Sequence, residues 1–337
     1  MSILLVTHES SNAHVTPSGH PEKVDRLIPV IDGVRAASTE IVDLEAPAVD
    51  RSVLELVHAR EYIDELADFC ALGGGGLDPD TYVAPASFNA AMHAAGAGPA
   101  AVESLTGSDV NAGFVVVRPP GHHALRARAM GFCLFNNIAI TAAYLRQRGD
   151  RVAIVDWDVH HGNGTQETFY GDPDVLYVSV HEFPLYPGTG WIGESGAGSG
   201  VGTTVNVPLP GGTTADSYLA AFARIVLPVL EEFSPDWILI SNGYDAHRLD
   251  PLGGLLLESE HYGWLAKSIS DLLPTRNVIA FLEGGYDLRA LRESSTTTVD
   301  GLTGHVAEFD LPETVSGAAI RMVDLAIESL SPYWELR

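Results

Sequence analysis

RVAIVDWDVHHGNG (residues 151–164) sets a four-residue aliphatic run, 152–155, directly before two aspartates and two adjacent histidines. The run is apolar at every position rather than at alternate ones. That is the mark of a strand covered on both faces, as in parallel sheets. Its polar tail then falls where sites form in such sheets, beyond the carboxyl ends of the strands.

Runs of the same kind recur on either side: ILLV (3–6), GFVVV (113–117), VLYVSV (175–180), TVNV (204–207), WILI (237–240) and NVIAFL (277–282). Between them lie Ala-rich or amphipathic stretches that read as helices: 87–105, 136–149, 217–233 and 261–273. Strand and helix in alternation predict an α/β fold, a single parallel-sheet domain over residues 1–337 with helices on both faces. The Gly-rich segments 71–76 and 193–200 are short and read as surface loops. Neither follows a strand and ends in Gly-Lys-Ser/Thr, so neither is a phosphate loop.

The 337 residues are 46% hydrophobic and 19% charged, which supports a sizeable core. There is no 18-residue apolar run and no basic, long-apolar leader at MSILLVTHES, so neither a membrane span nor a signal peptide is expected. Two cysteines, Cys70 and Cys133, form neither a disulfide framework nor a thiolate zinc cage, and a reducing, cytoplasmic setting follows. A formal net charge of −25 repels nucleic acid and anionic lipid and attracts cationic substrates, although the same charge also serves solubility.

Four runs end in chemistry. Arg118 to His123 follow GFVVV, Asp156 to His161 follow VAIV, Ser241 to Asp245 follow WILI, and Glu283 to Tyr286 follow NVIAFL. In extended backbone, residues two apart face one way, so Asp158 and His160 can offer a carboxylate and an imidazole to one ion. Asp245 would be the third ligand, leaving an open position as in catalytic centres; two carboxylates and a histidine suit Zn²⁺, with Fe²⁺ or Co²⁺ as alternatives. The same residues also serve as caps and turns after strands, and spacing alone does not choose. His122 and His123 could reach one cavity with different partners. Carboxylate Asp156 would favour an imidazolium, whereas amide Asn163 would not. Tyr286, after Gly284-Gly285, could donate to an oxyanion or simply belong to a turn.

Seven segments together resemble one family: GHPEKVDR (19–26), RPPGHHA (118–124), GFCLFNNIAI (131–140), VDWDVHHGNGTQ (155–166), VSVHEFPLYPGTG (178–190), NGYDAHRLDPLGG (242–254) and EGGYDL (283–288). They are similar, in order, to the zinc-dependent histone deacetylases and their bacterial relatives, including acetylpolyamine amidohydrolases and acetoin-utilisation proteins. The resemblance implies an arginase/deacetylase-type fold and a metal-dependent hydrolase that removes acetyl or other short acyl groups from acylated amines such as acetyl-lysine.

It also implies roles. Asp158, His160 and Asp245 match the zinc ligands, His122 and His123 the tandem histidines, Asp156 and Asn163 the groups behind them, and Tyr286 the transition-state tyrosine. Asn163, with GHPE and RPPGHHA, leans toward the class II branch. Gly131, Phe132, Tyr186 and Leu252 match walls of an acyl-lysine tunnel, and Arg26 a residue of the inner cavity. A structural K⁺ would use Asp156, Asp158, His160, Ser179 and Val180. A second K⁺ would use Phe169, Asp172, Val175 and Thr203. Tyr186 stands where many members carry phenylalanine. Asp80 is the candidate for the rim acid that holds the substrate backbone. The long acidic insertion shared by polyamine-specific relatives is missing around 73–87, which favours a wider-mouthed amidohydrolase.

The expected substrate is a cationic or lysine-derived acylated amine, and an oligomer is compatible with the sequence. His123 is the expected base, because neutral Asn163 leaves it unprotonated, and His122 the electrostatic partner. Three other readings compete: an acetylpolyamine amidohydrolase, a non-catalytic acyl-lysine binding module, and a binuclear manganese ureohydrolase of the arginase type. Against the last, Gly162 and His247 stand where a second metal would want aspartates.

Overall fold

The computed structural model describes residues 1–273, 277–306 and 317–336. Among these, eight strands form one sheet: β1 (Ser2–Thr7), β2 (Glu40–Glu45), β3 (Ala112–Val116), β4 (Val152–Asp156), β5 (Val175–Glu182), β6 (Thr204–Leu209), β7 (Trp237–Asn242) and β8 (Val278–Leu282). Their spatial order is β2-β1-β3-β8-β7-β4-β5-β6, and every pairing is parallel.

The apolar runs are continuous because both faces are covered. In β4, Ala153 and Val155 join one core cluster while Val152 and Ile154 join the other. Helices Leu27–Ala36, Ser259–Leu272, Leu288–Leu302 and Ala318–Leu330 pack on the first face. Helices Arg60–Ala71, Ser87–Leu105 and Asn137–Gln147 pack on the second. Each fully buried Val, Leu or Ile contributes about 1.5–3 kcal/mol by leaving water. The α/β architecture with helices on both faces is therefore as expected.

Two local readings are refined. β2, absent from the expected runs, is an edge strand with sequence EIVDLE and no fully buried residue. Half-exposed and charged, it lacks the aliphatic signature of the inner strands. Residues 217–233, read as one helix, are interrupted at Phe222–Val226 by a widened turn in which Leu227 N–H donates to Phe222 O. Pro228 follows at once and has no N–H to continue the ordinary ladder.

The placement of the polar tails matters most. β3, β8, β7 and β4, the four strands that end in ionisable residues, are consecutive in the middle of the sheet. Tails more than a hundred residues apart in sequence thus emerge side by side at one sheet end.

Candidate active site

Asp158, His160 and Asp245 converge. His160 Nδ1 lies 3.1 Å from Asp158 Oδ1 and 3.1 Å from Asp245 Oδ2. One ligand atom from each lies within 4.8 Å of the others, and both carboxylates are fully buried. Among the described residues this is the group of three or more metal-ligating side chains that comes together. Backbone N–H groups aim the carboxylates: Gly284 N donates to Asp158 Oδ2 (2.7 Å) and Val159 N to Asp245 Oδ1 (2.8 Å). Two glycines make the cradle. A Cβ on Gly284 would stand 2.0 Å from Asp245 Oδ2, and one on Gly243 2.1 Å from Asp158 Oδ2.

This donor set fits a divalent cation. Two carboxylates buried beside one imidazole concentrate negative charge that a cation neutralises, since buried anions need a partner. Burial opposes charge on His160, yet Asp158 and Asp245 push the imidazole up to about 10. Among the described residues no second group of three or more metal-ligating side chains comes together. His247 is turned aside, its Nδ1 accepting from Leu249 N and its Nε2 3.3 Å from Ser259 Oγ, and position 162 is glycine.

The tandem histidines lie beside this cluster with ring centroids 4.0 Å apart. His122 Nδ1 is 3.1 Å from Asp156 Oδ2, and His123 Nδ1 is 2.8 Å from Asn163 Oδ1. Burial works against a charge on His122, but Asp156 and then Asp158 push it up to about 10. Burial, then the charges of His122 and His160, hold His123 well below its usual value. Two adjacent imidazoles are thus driven apart in protonation. Asp156 also accepts from the Tyr177 hydroxyl, which fixes its orientation.

A cavity of about 260 Å³ opens over these groups, lined by His122, His123, Asp158, His160 and Tyr286 at its floor. Its walls include Gly131, Phe132, Leu252 and Tyr186, and Asp80 stands among them. Tyr186 sets its ring edge-on to His123 at 5.1 Å, and Phe132 meets Tyr286 edge-on at 5.9 Å. Burial raises the Tyr286 phenol well above its ordinary value, against the pull of Arg26, so it remains a protonated donor. Arg26 lies behind this cavity rather than in its wall. Its guanidinium donates to Gly285 O and Glu283 O and stacks 4.9 Å over the Tyr286 ring.

The residues expected around potassium are near neighbours in two groups. Asp156 and Ser179 are register partners across β4 and β5, and Val180 O accepts from Tyr218. Asp172 N donates to Phe169 O and Thr203 Oγ1 to Asp172 O, beside the start of β5 at Val175.

Several supporting residues escaped the sequence reading. Glu22, fully buried, receives Arg118 and Arg26 and lies 3.6 Å from His14. Glu283 accepts from Gly121 N and His122 N, holding the loop of the tandem histidines. Burial pushes its carboxyl up to about 7. Asp250 accepts from Tyr286 N (2.6 Å) and Leu252 N (3.0 Å), tying floor to wall. Glu22, Arg118 and Glu283 lie within quoted segments, but their partners are up to 257 residues away, which no local pattern reveals.

Residues 20–302 match the model of the histone deacetylase domain. The chain is 39% identical, over 91% of its length and 87% of the relative's, to a probable deacetylase of Archaeoglobus fulgidus. It is 38% identical, over 92% of its length and 76% of the relative's, to the chloroplastic histone deacetylase 10 of Oryza sativa subsp. japonica. Among solved structures, the HDA15 HD domain superposes with a TM-score of 0.92 at 36% identity, covering 99% of this chain and 95% of that one.

Proposed function

This chain belongs to the histone deacetylase family of zinc-dependent amidohydrolases acting on acylated amines, and from that premise we propose that it removes acetyl or similarly short acyl groups from lysine side chains, with residues 1–337 acting as one catalytic domain. The observation that carries this reading is the Asp158–His160–Asp245 cluster at the floor of an apolar-walled cavity beside two histidines of opposite protonation.

Asp158, His160 and Asp245 would hold the zinc ion. When bound, it supplies Lewis acidity toward the amide carbonyl and toward water. The remaining chemistry falls to the chain. The cavity walls exclude bulk water and orient the acyl-amine. His123, neutral through burial and backed by Asn163, takes a proton from the attacking water at Nε2. The water oxygen bonds to the carbonyl carbon. Tyr286 donates its phenolic hydrogen bond to the oxygen that becomes negative. His122, held charged by Asp156, stabilises that same negative charge. His123 then returns its proton to the nitrogen as the C–N bond breaks, releasing the amine and the carboxylic acid.

Asp80 is the acid we assign to the substrate backbone at the rim. Structural potassium ions would lie with Asp156, Asp158, His160, Ser179 and Val180, and with Phe169, Asp172, Val175 and Thr203. A cytoplasmic setting agrees with two buried free cysteines. Among the described residues no helix is long and apolar enough to cross a membrane. The test is turnover of an acetyl-lysine amide by zinc-replete protein with and without chelator. Chelator-sensitive release of amine is expected, and a zinc-replete protein that binds the amide without cutting it sinks the reading.

A further inference from the structure

Beside Asp80, which is in the cavity lining, stands a histidine outside the machinery described so far. The two ring nitrogens of His20 both face backbone carbonyls: Nδ1 lies 2.9 Å from Glu22 O and Nε2 lies 3.0 Å from Asp80 O. Carbonyl oxygens only accept. A neutral imidazole has a single N–H and satisfies one of them, leaving lone pair against lone pair at the other. Only the ring protonated at both nitrogens donates to both. The same ring sits edge-on to Phe132, centroids 4.8 Å apart, and Phe132 walls the cavity.

The segment it grips is short, and it is held both by its own polar groups and by the 131–132 wall. Asp78 Oδ1 accepts from Asp80 N and Thr81 N, Thr81 Oγ1 donates to Asp80 Oδ1, and Phe132 N donates to Thr81 Oγ1. His20 therefore ties the chain around residue 20 to the rim loop and to the aromatic wall at once. The charged groups on the segments it touches are Asp78 and Asp80 on the rim loop and Glu22 and Lys23 on its own. Glu22 turns its carboxylate to Arg118 and Arg26, and the 131–132 segment presents an uncharged ring.

We propose that His20 is a positioning residue: doubly protonated, it staples the Asp80 loop to the Phe132 wall and so sets Asp80 for substrates that present backbone N–H groups at the rim. The proposal rests on the deacetylase reading and on the role assigned to Asp80. It also specifies the substrate class, acyl-lysine within a peptide rather than a short acylated diamine, which carries no backbone N–H groups.

The test compares wild type with His20→Phe, which keeps a ring against Phe132 but no donor, His20→Gln, which keeps one donor, and Asp80→Asn. Substrates are a peptidyl acetyl-lysine and acetylputrescine. Expected is a rise in KM of roughly tenfold for the peptide in His20→Phe, smaller in His20→Gln, with kcat little changed and a distinctly smaller rise for acetylputrescine. Hydrogen exchange of the 77–84 amides should quicken in His20→Phe, and the ¹⁵N spectrum of wild type should report two protonated ring nitrogens at residue 20. An unchanged peptide KM in His20→Phe with Asp80→Asn impaired overturns the staple and leaves the deacetylase reading standing. If wild type turns over neither substrate, that reading fails. Exchange and ¹⁵N shifts then judge the staple alone, and unaltered exchange or a singly protonated ring overturns it.

Discussion

Replacing Asp156 by Asn removes one negative charge from a fully buried site and leaves the shape almost unchanged. The amide oxygen still accepts from His122, whose Nδ1 is 3.1 Å away, so the ring keeps its place. What changes is its charge. Burial pulls His122 down and Asp156 is the largest of the groups that push it up to about 10. An opposite charge at such a distance shifts an imidazole by about 1–3 units, which is about 1.4–4 kcal/mol. The basic limb of the kcat/KM profile reports loss of the His122 proton, so it should fall by about 1–3 units in the variant. At the upper end, with the limb near pH 7, turnover at pH 8 drops about tenfold. The acid limb belongs to His123, which is held well below 6.5 while His122 is charged, and it should stay in place. The assay is kcat/KM for an acetyl-lysine amide from pH 5 to 10 with zinc content per chain matched between variant and wild type. A basic limb that does not move, or an acid limb that moves instead, refutes the division of labour between the two histidines.

Three further outcomes are expected. Tyr286→Phe should lower kcat by on the order of 10²–10³ with KM nearly unchanged, measured by steady-state kinetics, because the lost donor acts on the developing oxyanion. Gly284→Ala should lower bound zinc per chain, read by elemental analysis, since the new Cβ would stand 2.0 Å from Asp245 Oδ2 and 2.6 Å from Asp158 Oδ2. Glu22→Gln should destabilise the fold by about 3–5 kcal/mol in denaturant titration, as it leaves buried guanidinium charge uncompensated. The Glu22 carboxyl is held well below 4.5 in the fold, where Arg118 and His14 overcome burial. Its stabilisation is therefore complete above about pH 4.5 and drains away as the pH falls toward the folded value, so the gap between variant and wild type should narrow in acid.

The inner strands announce themselves because a strand covered on both faces must be aliphatic throughout, as 152–155 and 237–240 are. The same logic hides β2. EIVDLE lies at the edge with its acids in water, and such a pattern reads equally as loop. The helix Leu288–Leu302 is hidden for a different reason. Its buried face carries Ser294, Ser295 and Thr298, whose hydroxyls are all satisfied: Ser294 Oγ donates to Ser259 Oγ, Ser295 Oγ to Arg292 O, and Thr298 Oγ1 to Ser294 O at 2.8 Å. Polar letters there conceal burial, and the clue was Asp287, which caps the helix through Arg289 N and Ala290 N. At the cavity, Asp158 and His160 were legible because they are two residues apart on one strand tail. The Asp156–His122 and Asn163–His123 pairings rested on resemblance, since neither pair is close in sequence. Glu22 with Arg118, and His20 with Asp80, are long-range meetings that the sheet order creates.

The sheet order also dictates when the site comes into being during synthesis. Among the described residues β8 is the last strand to leave the ribosome, yet it is inserted between β3 and β7 rather than added at an edge. Until residue 282 has emerged, those two strands stand as separate open edges, and Gly284 and Tyr286 do not exist to complete the floor. A nascent chain or a truncation before residue 278 therefore has two unfinished half-sheets and no hydrolase, and its exposed edges are natural targets for chaperones. Late insertion of the central strand makes activity a report that the whole sheet has closed.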